Sequence, residues 1–266
     1  MIALDRGGQP VTDLKAEELH LFEGKAEQEI RALSPAGREP LTIGLFFDVS
    51  GSRRADKYVG DETRLTGEFL HSIWHAGDTA FVVEFADRPY AVTQPTQKLD
   101  DIDQGLRQIP QARYVGPTAL YDTLCLVKPE KLSAIPGRKV YVVLSDFDDN
   151  SSRIRPGRAL DAAHEAQVAI FPVVLSEDFG GDYSKRIAKR SREQAQRFAD
   201  ETGGEVLIPE SHKQLALIFE RLAADLQSGY RITYVPSPAA SQTKNKRSKI
   251  RIDTTREQVR LIYPKG

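Results

Sequence analysis

The chain has 266 residues, 40% hydrophobic and 28% charged, with 37 basic against 38 acidic side chains and a formal net charge of -1. It is too apolar for a disordered chain, too neutral for a general nucleic-acid binder, and long enough to bury a sizeable core. A lone cysteine, Cys125, excludes a disulfide framework and a cysteine-rich zinc site within one chain, and no apolar run reaches the ~18 residues of a membrane span.

Residues 1–5 read as the interior of a strand that runs into the turn Arg6-Gly7-Gly8. No basic and apolar leader precedes it, so the abrupt start points to a removed segment that could carry an export signal. Residues 20–22 and 28–33 alternate around the turn Glu23-Gly24-Lys25, as antiparallel strands do. From residue 40 the pattern changes. The run 41–47 is a buried strand, and 54–76 carries helical spacing through Leu65, Phe69 and Ile73 up to Gly77. A strand follows at 79–85, with 89–93 as its hairpin partner. A helix over 99–109 stops at Pro110, and another covers 118–127 after Gly116-Pro117. The strand 139–144 ends at Ser145-Asp146, and a helix over 158–167 leads into the strand 168–175. A long helix over 186–201 closes at Gly203-Gly204, which suits a helix C-terminus. A short strand at 206–208 precedes a last helix, 211–228, with Ser211 as its N-cap. Alternation returns at 230–235, 248–253 and 259–263, around a polar loop over 237–249.

Continuous apolar strands alternating with helices imply an α/β fold. The expectation is a doubly wound, mainly parallel, six-stranded sheet over residues 40–228 with helices on both faces. Residues 1–39 and 229–266 are expected to form a small antiparallel β subdomain beside it.

In such a sheet ligands bind beyond the carboxyl ends of the strands. After the first core strand stands Asp48-Val49-Ser50-Gly51-Ser52, and after the strand at 139–144 stands Ser145-Asp146-Phe147-Asp148-Asp149-Asn150. Thr118 lies between them at a loop-to-helix junction. Carboxylates and hydroxyls are hard oxygen ligands, suited to Mg2+, Mn2+ or Ca2+. Alternate residues Asp48, Ser50 and Ser52 can turn toward one point, with Gly51 permitting the tight backbone. Few charges and an incomplete shell leave a position that a partner's carboxylate can fill. Asp148 and Asp149 read as solvated loop charges, as a cap for the helix after Pro156, or as outer carboxylates around the cation.

Asp48-x-Ser50-x-Ser52, then Thr118, then Asp146, each after the appropriate element, resembles the von Willebrand factor type A family and its metal-ion-dependent adhesion site. The resemblance covers residues 40–228. It implies a Rossmann-like fold in which Ser50, Ser52 and Thr118 touch the metal directly or nearly so, while Asp48 and Asp146 act partly through water. It implies Mg2+ first among the cations, a protein partner presenting Asp or Glu, and adhesion without catalysis. Val11-Thr12-Asp13-Leu14, Leu21-Phe22-Glu23-Gly24-Lys25, Thr202-Gly203-Gly204 and Tyr230-Arg231-Ile232-Thr233-Tyr234 look like a group of such domains described from Acidobacteria, whose members carry a secretion signal. A periplasmic or extracellular location follows from that resemblance.

Other classes fit less well. A structural module that docks a partner through the terminal β segments, with the metal only stabilising, is the main alternative. A phosphatase with Asp-x-Asp would need a second carboxylate where Ser50 stands, and a hydroxyl is no acid at neutral pH. No Gly-x-Ser-x-Gly elbow or phosphate-cradling Gly-x-x-x-x-Gly-Lys loop is present. His71 and His75 lie four apart, but Ser72 replaces the glutamate of the zinc-protease motif, so they read as helix-surface residues. Cys125 reads as a buried inert thiol, and the basic stretches 185–192 and 244–247 as solvated charges.

Overall fold

A computed structural model describes residues 1–37, 39–53, 58–175, 182–236 and 249–265. The strands are β1 (Ile2–Leu4), β2 (Leu19–Glu23), β3 (Ala26–Pro35), β4 (Leu41–Asp48), β5 (Thr79–Phe85), β6 (Pro89–Ala91), β7 (Arg138–Ser145), β8 (Val168–Val174), β9 (Tyr230–Val235), β10 (Ile250–Thr254) and β11 (Arg260–Ile262). The helices are α1 (Val59–Ile73), α2 (Leu99–Leu106), α3 (Leu120–Leu124), α4 (Pro129–Ser133), α5 (Pro156–Glu165), α6 (Asp182–Thr202) and α7 (Leu215–Gln227).

The central sheet runs β6-β5-β4-β7-β8. Four strands are parallel and β6 is antiparallel to β5. Every residue of β4 is buried, so alternation sends its side chains to two different cores. Ile43, Leu45 and Phe47 pack with Phe69 and Leu70 of α1, Ile102 of α2 and Phe219 and Leu222 of α7. Phe46 packs on the opposite face with Leu120 of α3, Leu160 of α5 and Phe198 of α6. Gly44 on that second face lies under the rings of Phe46, Phe81 and Tyr141, each of which would stand within 2.8 Å of an added Cβ.

The sheet has five strands where six were expected. The sixth, at 206–208, is reduced to one parallel bridge between Leu207 and Val173. Pro209, which has no N–H to donate, follows immediately and prevents the ladder from extending. The expected helix over 118–127 contracts to α3, because the chain turns at Leu126 and restarts as α4 at Pro129. The expected helix over 99–109 ends at Leu106 and continues as a 3-10 turn, Ile109–Gln111, that contains Pro110. Ser211 makes no side-chain cap. A 3-10 turn, His212–Gln214, leads into α7, and Gln214 Oε1 accepts the Glu210 N–H at 3.0 Å. Gly203 does close α6, at φ +81° and with its N–H on Ala199 O at 2.9 Å.

Strands from both chain ends pair antiparallel. One sheet runs β10-β2-β3-β9, and β1 pairs with β11. Leu14, Leu19, Leu21, Tyr230 and Ile252 form its apolar centre. Ile2, Leu4 and Ile262 belong instead to the core on the α7 side of the central sheet, so the terminal strands share that core. Most of the polar loop over 237–249, including the basic stretch 244–247, lies outside the described residues.

Candidate metal centre

β4 is followed in the chain by β5 on one side, while β7 lies on the other. The chain therefore reverses direction across the sheet between β4 and β7, where the diverging connections leave a crevice beyond the strand ends. Asp48 ends β4 and Ser145 ends β7 at this crevice.

Asp48, Ser50, Thr118 and Ser145 are buried there, Asp146 is half-buried and Ser52 is exposed at the mouth of the crevice. Asp48 is 4% exposed, Ser50 1% and Thr118 2%. Asp48 Oδ1 accepts the Ser50 N–H at 2.9 Å, and Oδ2 accepts the Ser145 hydroxyl at 2.5 Å. The Ser50 and Ser52 hydroxyl oxygens are 3.0 Å apart. Ser145 Oγ also accepts the Phe147 N–H at 3.0 Å, and Asp146 Oδ1 accepts the Asp148 N–H at 3.0 Å. Phe147, between those two aspartates, has φ +59°. A non-glycine residue in that region is held by its surroundings, here by burial of its ring in the second core.

The Thr118 loop is tied to both strand ends. The Gly51 N–H donates to Gly116 O at 2.9 Å, and Gly116 has φ +88°, which favours glycine. Asn150 Oδ1 accepts the Thr118 N–H at 2.8 Å, while Thr118 O accepts the N–H groups of Asn150 and Ser151, both at 3.0 Å. Ala119 N–H donates to Ala86 O at 2.7 Å, just beyond β5.

Burial, and then the negative charge of Asp146, push the Asp48 carboxyl up to about 6 despite the hydrogen bonds from Ser145 and Ser50. Asp148 is shifted up by burial and by the same Asp146 charge. Carboxylates crowded in this way favour a cation between them. Among the described residues no group of three or more His, Cys, Asp or Glu side chains is placed to hold a metal. The donors available at the crevice are a mixed set of hydroxyls and carboxylates, which fits a hard divalent ion.

Several contributors escaped sequence reasoning. Ser145 stood in view as the residue before Asp146, but nothing in its spacing marked it as the partner of Asp48. Arg53 and Glu62 form a buried ion pair at 2.5 Å that fastens the end of the Asp48–Ser52 loop to α1. Asp149 does not cap α5. Its Oδ2 accepts the Tyr121 N–H at 3.2 Å and the Ser152 hydroxyl at 2.5 Å, which holds the start of α3. His71 pairs with Asp103 at 3.0 Å and not with His75. Cys125 is partly buried, and burial raises its thiol to about 11, so it stays protonated near neutral pH.

No family model and no curated protein matches the chain. Solved structures do. A von Willebrand factor type A protein from Catenulispora acidiphila aligns over 78% of this chain and 52% of its own, at 16% identity and a TM-score of 0.55. Proximal thread matrix protein 1 from the mussel byssus, with a zinc-occupied MIDAS motif, aligns over 71% of this chain and 48% of its own, at 16% identity and a TM-score of 0.51. An aerotolerance-related membrane protein from Bacteroides fragilis aligns over 71% of this chain and 100% of its own, at 13% identity and a TM-score of 0.51. The chain thus spans about half the length of the first two. At these identities the likeness establishes the fold, which is that of von Willebrand factor type A domains. The finer likeness to the Acidobacteria group is not among these matches. No helix among the described residues is long and apolar enough to cross a membrane.

Proposed function

We propose that the protein is a non-enzymatic binding module that holds a divalent cation at Asp48, Ser50, Ser52, Thr118 and Asp146 and presents it to an Asp or Glu of a protein partner. The cation is Mg2+, with Mn2+ or Ca2+ as substitutes. The observation that carries the reading is the Asp48 carboxyl, in hydrogen-bond contact with Ser50 and Ser145 and raised first by its burial and then by the charge of Asp146. A bound cation would supply the positive charge that this cluster lacks. The chain's own residues orient the donors: Ser145 fixes Asp48, Gly116 fixes the Gly51 turn, and Asn150 fixes Thr118. The mussel protein with zinc in its MIDAS motif supports a metal at this place in the fold. In this reading residues 40–228 form the binding unit, residues 1–39 and 229–266 are its β companion, and the protein works outside the cytoplasm, in the periplasm or beyond the cell.

Water-proton relaxation by Mn2+ tests both steps. Wild-type protein should take up Mn2+ and Asp48→Ala should not. A short peptide bearing one glutamate should displace metal-bound water and lower the relaxation, and its glutamine analogue should leave it unchanged. Equal Mn2+ uptake by Asp48→Ala would place the metal elsewhere. Identical behaviour of the two peptides would refute the bridging step.

A further inference from the structure

The chain that leaves Asp146 is stitched to the chain that carries Thr118. The bonds join residues 149–154 to residues 118–122, and the bonded pairs stand 28 to 32 residues apart in sequence. Thr118 forms one end, bound to Asn150 and Ser151. Asp122 forms the other. Its Oδ1 accepts the Ile154 N–H at 2.8 Å and its Oδ2 accepts the Arg153 N–H at 3.2 Å. Leu120, Tyr121 and Ile154 pack into the second core, which fixes the stitched segments to the sheet.

Ser152 stands between the two ends. α3 opens without a cap of its own, because Ala119 at the N-cap position has no side-chain oxygen. The first N–H groups of a helix have no partner within it. Ser152 provides one from outside. Its Oγ accepts the Tyr121 N–H at 3.0 Å and the Asp122 N–H at 3.1 Å, and its hydroxyl proton goes to Asp149 Oδ2 at 2.5 Å. A hydroxyl has one donor and two acceptor positions, and all three are used. Removing it takes away the acceptor of the Asp122 N–H and leaves Tyr121 only its 3.2 Å contact with Asp149. Asn150 touches Thr118 directly, and Asp149 carries charge close to Asp146. Ser152 is uncharged, half-buried and six residues beyond Asp146, so it reaches the cluster only through the frame that it holds.

We propose that Ser152 is a positioning residue that sets the ion selectivity of the cation centre, by holding Thr118 in fixed register with Asp146. The inference rests on the cation reading above. Mg2+ demands near-ideal octahedral geometry at about 2.0–2.1 Å, whereas Ca2+ accepts variable geometry at about 2.3–2.6 Å. A stiff frame favours the smaller ion, and a loosened frame gives up that preference while still serving the larger one.

Calorimetric titration of the full chain with MgCl2 and with CaCl2 tests this. Wild type should bind Mg2+ more tightly than Ca2+. Ser152→Ala should weaken Mg2+ at least tenfold and Ca2+ by less than about threefold, so the ratio of the two affinities falls. Ser152→Thr keeps the hydroxyl and should keep the wild-type ratio. Equal losses for the two ions, or an unchanged Mg2+ affinity, in folded Ser152→Ala would overturn the proposal. So would a folded Ser152→Thr that behaves as the alanine variant does. If Ser152→Ala does not fold, amide exchange on wild type decides. Mg2+ should slow exchange at Tyr121 and Asp122 relative to EDTA, and more than saturating Ca2+ does. Equal slowing by the two ions, or none, would overturn the proposal. Uptake of neither ion by wild type would refute the cation centre itself, whereas uptake with an unmoved ratio in Ser152→Ala refutes only the role of Ser152.

Discussion

The Ser145 hydroxyl donates to Asp48 Oδ2 at 2.5 Å across 97 residues of sequence, and joins the ends of the two strands that flank the crevice. Ser145 is not a proposed metal ligand, yet it sets the orientation of one. Partners of this kind typically change metal affinity 10–100-fold when removed. Ser145→Ala should therefore weaken Mg2+ or Mn2+ at least tenfold in calorimetry. It should cost about 1 kcal/mol of stability without metal.

A cation that binds the native state raises its melting temperature with concentration. At a hundredfold excess over Kd the gain is about 2.7 kcal/mol. Melting scans in Mg2+, Mn2+ and Ca2+ against EDTA should show that rise for wild type and none for Asp48→Ala. A wild-type chain indifferent to all three ions would contradict the metal centre.

Arg53 and Glu62 are both buried and paired at 2.5 Å. Removing one partner strands the other charge in the core, at a cost of about 3–5 kcal/mol. Arg53→Met should show that loss in urea denaturation. The double variant Arg53→Met, Glu62→Leu should recover most of it, because no charge is then left unpaired. A double variant as unstable as the single one would show that the loss comes from packing.

Asp225 on α7 is 1% exposed, and its Oδ1 has no hydrogen-bond partner. Burial first, then the nearby charge of Glu205, raise its carboxyl to about 6, against the opposing effect of Arg221 and Arg260. A folded pKa above the unfolded value of 3.8 means the native state binds this proton more tightly. The ionised group therefore penalises folding above pH ~6, and the penalty fades as pH falls toward 4. Asp225→Asn should stabilise the protein by about 1–2 kcal/mol at pH 7.5 and by almost nothing at pH 4. A gain that is the same at both pH values would rule out ionisation as its source.

Much of this protein was legible without coordinates. The run 41–47 could only be a strand buried on both faces, and β5 spans the expected residues, Thr79–Phe85. The turns at Gly24 and Gly203 fall where glycine made them expected, both at positive φ. Asp48, Ser50, Ser52 and Asp146 stand in sequence just beyond expected strands and Thr118 at a loop-to-helix junction, and the resemblance to von Willebrand factor type A domains joined them into one candidate site. The strand and turn readings rest on periodicity and local backbone preference, which act over a few residues. The misreadings are of another kind. A sixth strand was expected at 206–208, yet its pairing stops at one bridge beside Pro209. Asp149 was read as a possible cap for α5, and it holds α3 instead.

What only the tertiary structure decided has one physical cause: the forces involved act between groups far apart in the chain. Hydrogen-bond geometry chose Ser145 for Asp48 and Asn150 for Thr118. Exclusion of water made the Arg53–Glu62 pair a structural anchor. Local sequence specified which residues could be ligands. The packing of β4 against β7, and of the terminal strands against both, decided which of them meet and in what electrostatic surroundings.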